Sequence, residues 1–106
     1  ELFKHFGYSN MHMGTVEGDF SIESFLDKLK NLHPAHVHLA PFMIVAGDHA
    51  TNDMSGEDDD SWKSILEKEG YSVKCTLKGL GEIQAIRDIF IRHTRAGLDR
   101  LSEIQA

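Results

Sequence analysis

Glycine-flanked carboxylate and imidazole side chains mark two short segments of this sequence. Gly14-Thr-Val-Glu-Gly18 carries Glu17, and Val45-Ala-Gly-Asp-His-Ala50 carries His49. One oxygen and one nitrogen donor suit a divalent first-row metal, and the same pair can act as general acid and base. Glycines at 14, 18 and 47 let the backbone approach a ligand closely. Taken singly, a glutamate at a strand end more often caps the next helix, and a histidine after a strand is more often structural. Two donors alone hold a metal weakly.

The other candidates are weaker. His36 and His38 share a face if they lie on a strand, and His33 can reach them from the preceding turn. They fall at the amino end of that strand, opposite the edge where open parallel sheets bind ligands, so a structural role is expected. His5 and His12 are isolated, and His93 on a helical face is expected to be packed or hydrogen-bonded. Glu57-Asp-Asp-Asp60 reads as solvated carboxylates at a helix start. Cys75 reads as a small hydrophobe within a strand. Gly79-Leu-Gly81 is too short for a phosphate-binding fingerprint, and no Ser-His-Asp arrangement is assignable.

The elements that must position these residues follow from hydrophobic spacing. Leu2, Phe3 and Phe6 read as the last turns of a helix ended by Gly7, so the chain is expected to be a piece or processed product of a longer protein. Asn10–Val16 is predicted as a first strand. Ser21 caps a helix to about Leu32, with Ile22, Phe25, Leu26 and Leu29 on one face. His36–Val45 reads as a second strand covered on both faces, with Pro41 forcing a bulge or an early end to pairing. Asp59 or Asp60 is predicted to cap a helix carrying Trp62, Ile65 and Leu66, stopped by Gly70. Tyr71–Leu77 is the third predicted strand, and Ile83–Ile104 a final helix. The alternation implies an α/β fold with a parallel sheet and helices on its faces. Glu17 would then follow strand one and His49 strand two, both at the carboxyl edge of the sheet.

Composition bounds what this scaffold does. The chain has 106 residues, 41% of them apolar and 26% charged, which suits one soluble globular domain. Eleven Lys and Arg against seventeen Asp and Glu leave a net charge of −6. That balance argues against nucleic acid, whose phosphates require clustered cations. The apolar run from Leu39 to Gly47 is about half the length of a membrane span. With one cysteine there is no internal disulfide and no cysteine-based zinc knuckle. Nothing at the start resembles a signal peptide, and a cytoplasmic location is expected.

In order along the chain, several stretches resemble the C-terminal half of the anaerobic sirohydrochlorin cobaltochelatases, a family of the class II chelatase superfamily. They are Gly14-Thr-Val-Glu-Gly18, Val37-His-Leu-Ala-Pro-Phe-Met-Ile-Val-Ala-Gly-Asp-His-Ala50, Asn52-Asp-Met54, Asp59-Asp-Ser-Trp-Lys63, Lys78-Gly-Leu-Gly-Glu82 and Ala85-Ile-Arg87. The resemblance implies a three-layer α/β/α domain spanning residues 1–106, one of two similar domains enclosing a tetrapyrrole cleft. It places the metal-binding glutamate and histidine of the family on Glu17 and His49. A further histidine, metal ligand and proton acceptor, belongs to the family's N-terminal domain, and no segment of this chain matches it.

The activity implied is insertion of Co²⁺ into sirohydrochlorin in anaerobic cobalamin biosynthesis, with Fe²⁺ or Ni²⁺ as the metal in related enzymes. The metal sheds water and two pyrrole N–H protons leave as it enters the ring, which a His/Glu site serves by weak N and O ligation and proton acceptance. Lys63, Lys78 and Arg87 are the candidate counter-charges for substrate carboxylates. The alternative, of a different class, is a non-catalytic metal- or tetrapyrrole-binding module of the same fold. With only one domain present, the chain is expected to be inactive alone. Its apolar helix end, Leu98 to Ile104, is expected to drive homo-oligomerisation or to fray.

Overall fold

The computed structural model describes residues 2–105. A short helix α1 (Leu2–His5) ends in a left-handed Gly7 whose N–H meets the Lys4 carbonyl, while the Tyr8 N–H reaches back to Phe3. These are the paired bonds of a glycine-terminated helix. Helix α2 (Ile22–Leu32) follows the extended Ser21 and closes on His33, which takes the left-handed conformation and donates its N–H to the Leu29 carbonyl. Strand β1 (His36–Leu39) pairs in parallel with β2 (Ser72–Cys75), with His36 opposite Ser72 and Leu39 opposite Cys75. Between them lie a π-helical turn (His49–Met54) and helix α3 (Trp62–Lys68). A 3₁₀ turn (Leu80–Glu82) then leads into α4 (Gln84–Gln105).

The chain is thus α/β with a small parallel sheet, and several expectations need correction. Asn10–Val16 forms no strand. A strand needs a neighbour to take its N–H and C=O groups, and this segment instead stands off from β1 across a groove of about 940 Å³. Its Thr15 N–H goes to the Phe20 carbonyl of a local turn, and Gly14 is pressed against the rings of Phe25 and Trp62. Pairing in β1 ends at Leu39, before Pro41, so the strand is four residues long rather than the ten of His36–Val45. It is also not covered on both faces. Val37, Leu39, Val73 and Cys75 turn inward on the side of α3, whereas His36, His38, Ser72 and Lys74 are exposed.

The cap of α3 is Ser61, not Asp59 or Asp60. Its hydroxyl accepts from the Ser64 N–H at 3.1 Å and donates to the Gly56 carbonyl at 2.6 Å, and the residue is fully buried. A buried cap at the start of the helix outcompetes exposed carboxylates because it also satisfies a carbonyl inside the fold. Asp59 instead faces Lys68 across 3.3 Å of solvent-exposed surface. Gly70 ends α3 as expected, left-handed and bonded to the Glu67 carbonyl.

The core is small, centred on Leu66, Ile22, Ala50 and Met54. Helix α4 contributes no buried residue to it, and its principal contact is the 3₁₀ turn that precedes it. The radius of gyration is therefore 18.2 Å, against about 13 Å for a compact domain of this length. Leu98, Leu101 and Ile104 are all exposed, Ile104 at 80%. His93, expected to be packed, is exposed as well. No helix among the described residues is long and apolar enough to cross a membrane.

Candidate metal centre

His49 opens the π-helical turn, ten residues beyond the end of β1 rather than directly after a strand. Its position comes from two anchors. On the inner side, Ala50 and Met54 are buried and hold the turn against the core. On the C-terminal side, the Ser55 hydroxyl donates to the carbonyls of Ala50 at 3.0 Å and Thr51 at 3.2 Å. The wider π turn places Ser55 N–H on Ala50 O, five residues back, and such turns recur at functional sites.

The approach to His49 is held by the loop before α4. Leu80 and Gly81 donate their N–H groups to the carbonyls of Met43 and Ile44, at 2.7 and 2.9 Å. A side chain at Gly79 would put its Cβ 2.3 Å from the Ile44 carbonyl oxygen. Gly79-Leu-Gly81, unassigned in the sequence, is therefore a clasp that admits the Ile44–Val45 backbone. Glu82 closes it by accepting the Gly79 N–H at 3.0 Å, and Arg87 donates to the Gly81 carbonyl at 3.0 Å. Arg87, one of the three candidate counter-charges, is thus already engaged within the fold.

The His49 ring is 75% exposed, and its Nδ1 lies 2.6 Å from Oδ2 of Asp53. That hydrogen bond, then the Asp53 charge, raises the His49 pKa above the usual 6.5. Slight desolvation opposes the shift, and the charges of Glu17 and Asp48 add to it. Glu17 therefore acts on the ring electrostatically. It sits in an exposed turn with Gly18 left-handed at φ 97°, in which the Thr15 hydroxyl donates to the Glu17 carbonyl at 2.6 Å. It does not end a strand, because the strand before it is not formed.

Asp53 escaped the sequence reading, although its spacing of four from His49 within a helical stretch was a usable signal. His38 Nε2 is 2.6 Å from the Thr76 hydroxyl, and His33 closes α2 through its backbone N–H. The His12 ring packs edge-on against Phe25. Burial raises the Cys75 thiol pKa, in keeping with a half-buried small side chain. Glu57 to Asp60 are all exposed. Among the described residues, no three His, Cys, Asp or Glu side chains gather as a metal site. The direct side-chain contact at His49 is the one to Asp53, and Glu17 reaches the ring through its charge.

Residues 1–99 match the family described as Cobalt chelatase (CbiK). The chain belongs to the cobalt chelatase family. The sirohydrochlorin cobaltochelatase of Salmonella typhimurium is 41% identical over 91 residues, covering 86% of this chain and 34% of that protein. The sirohydrochlorin cobaltochelatase CbiKC of Nitratidesulfovibrio vulgaris is 35% identical over 94 residues, covering 89% of this chain and 33% of that protein. The chain spans about a third of the length of these curated relatives.

Proposed function

We propose that this chain is the C-terminal domain of a sirohydrochlorin cobaltochelatase, in which Glu17 and His49 hold Co²⁺ for insertion into sirohydrochlorin or a related tetrapyrrole during cobalamin biosynthesis. The observation that carries the reading is the family match, which runs through both residues. On this reading residues 1–106 are one half of a two-domain, three-layer α/β/α chelatase of the cytoplasm. The other half supplies a third site residue and the opposite wall of the cleft, and the isolated chain is inactive. Co²⁺ is substrate here, bound weakly by one imidazole nitrogen and one carboxylate so that the ring can take it.

The pH dependence of Co²⁺ binding tests the reading. Only neutral imidazole ligates a metal, and Asp53 raises the His49 pKa above 6.5. As pH falls through that raised value the ring gains a proton and loses its free lone pair. Affinity is therefore expected to drop as pH is lowered, with its midpoint above 6.5. Calorimetric titration with Co²⁺ across this range measures it. Tight, pH-independent binding would point away from His49 and towards a different site.

The exposed face of α4 belongs to the same proposal. Leu98, Leu101 and Ile104 are covered by the remaining polypeptide in the intact protein, and in the isolated chain they drive self-association. Sedimentation of the isolated chain is expected to depend on concentration, and the dependence to vanish with Leu98→Lys and Leu101→Lys. A monodisperse monomer before substitution would refute this part.

A further inference from the structure

An imidazole ring that carries one proton has one nitrogen free to ligate, and which nitrogen that is depends on what holds the other. Resting on the reading of His49 as a metal ligand, we propose that Asp53 is a positioning residue that locks His49 in the Nδ1–H tautomer and leaves Nε2 as the donor to a divalent cation. The contact is short, 2.6 Å from Nδ1 to Oδ2. An ionised carboxylate only accepts hydrogen bonds, so a neutral His49 must donate from Nδ1.

Among the described residues, no other hydrogen bond to the ring is formed. The side chain is 75% exposed, and Glu17 and Asp48 act on it by charge. Asp53, by contrast, sits four residues on in the same turn, which Ala50, Met54 and the two Ser55 bonds fix to the core. The anchored turn holds the carboxylate, and the carboxylate holds the ring. A single bond thus removes both rotamer and tautomer freedom from an otherwise loose side chain, and metal-ligating histidines are commonly oriented in this way. The ionised carboxylate matters because it can only accept, whereas an amide at that place could also donate to Nδ1 and select the other tautomer.

The test is nitrogen-15 NMR of histidine-labelled intact protein at a pH where His49 is neutral, paired with Co²⁺ titration. In the unsubstituted protein His49 is expected to show a protonated Nδ1 and an unprotonated Nε2. In Asp53→Ala the ring is expected to populate both tautomers, and Co²⁺ affinity to fall about 10- to 100-fold. Asp53→Asn, whose amide can donate to Nδ1 where the carboxylate can only accept, is expected to admit the Nε2–H form and to lose affinity as well. An Nε2–H ring in the unsubstituted protein overturns the proposal, as does unchanged Co²⁺ affinity in Asp53→Ala. So does equal loss of affinity in the Ala and Asn variants with the tautomer unaltered in both. His49→Ala separates the two levels of the argument: undiminished Co²⁺ binding there sinks the ligand reading itself, while the tautomer signal of the unsubstituted protein reports on Asp53 independently.

Discussion

His49→Ala in the intact protein is expected to slow Co²⁺ insertion into sirohydrochlorin by at least about 100-fold while leaving the unfolding midpoint nearly unchanged. The two halves of that expectation come from the same geometry. The ring is 75% exposed and its hydrogen bond is to Asp53 on the same turn, so it buries little and an exposed pair of this kind stabilises weakly. Its neighbour Ala50 is fully buried, so the backbone turn survives loss of the ring. What disappears is the only nitrogen donor of the proposed pair, and a carboxylate alone is a poor ligand for a first-row metal beside water. Metallation followed by the change in tetrapyrrole absorbance, alongside thermal unfolding, measures both. Unchanged turnover would reassign His49 to a structural role.

Gly79→Ala is expected to cost about 3 kcal/mol of stability and to impair chelation as well, although Gly79 is far from His49 in sequence. Its φ of −75° suits any residue, so backbone strain is not the cause. The added Cβ would lie 2.3 Å from the Ile44 carbonyl oxygen and 2.8 Å from the Val45 Cα, and backbone atoms cannot swing aside as a flexible side chain can. Relief requires the clasp to open, breaking the bonds from Leu80 and Gly81 to Met43 and Ile44. The freed strand of backbone is the one that leads into Gly47, Asp48 and His49. Gly97→Ala provides the control. Nothing lies within 4 Å of that position, and alanine favours a helix interior over glycine by up to about 1 kcal/mol. Urea unfolding of the two variants beside the parent is the measurement. An unfolding midpoint for Gly79→Ala equal to that of the parent would refute the clasp.

The helices were legible because their bonds and caps are encoded within a few residues. Helix α2 begins after Ser21 at the predicted place, although the Ser21 side chain makes no capping hydrogen bond, and Gly7 and Gly70 end their helices through left-handed turns. Pro41 shortened β1 for an equally local reason, the absence of a backbone donor. Strands are different, because half of each lies in another part of the chain. Asn10–Val16 has the composition of a strand but finds no neighbour to pair with, and so remains irregular along the groove beside β1.

The candidate site divides in the same way. Residue type and flanking glycines were enough to single out Glu17 and His49, and the local turns that carry them follow from Gly18 and from the buried Ala50 and Met54. The sequence by itself determined the approximate helices, the two strands that pair and the donor types available to a metal. Tertiary structure decided that Asp53 holds His49, that Ser61 rather than an aspartate caps α3, and that Gly79 clasps Ile44. It also decided that the apolar face of α4 stands uncovered. Helix periodicity specifies which face is apolar, but what covers that face depends on packing partners that no local pattern contains.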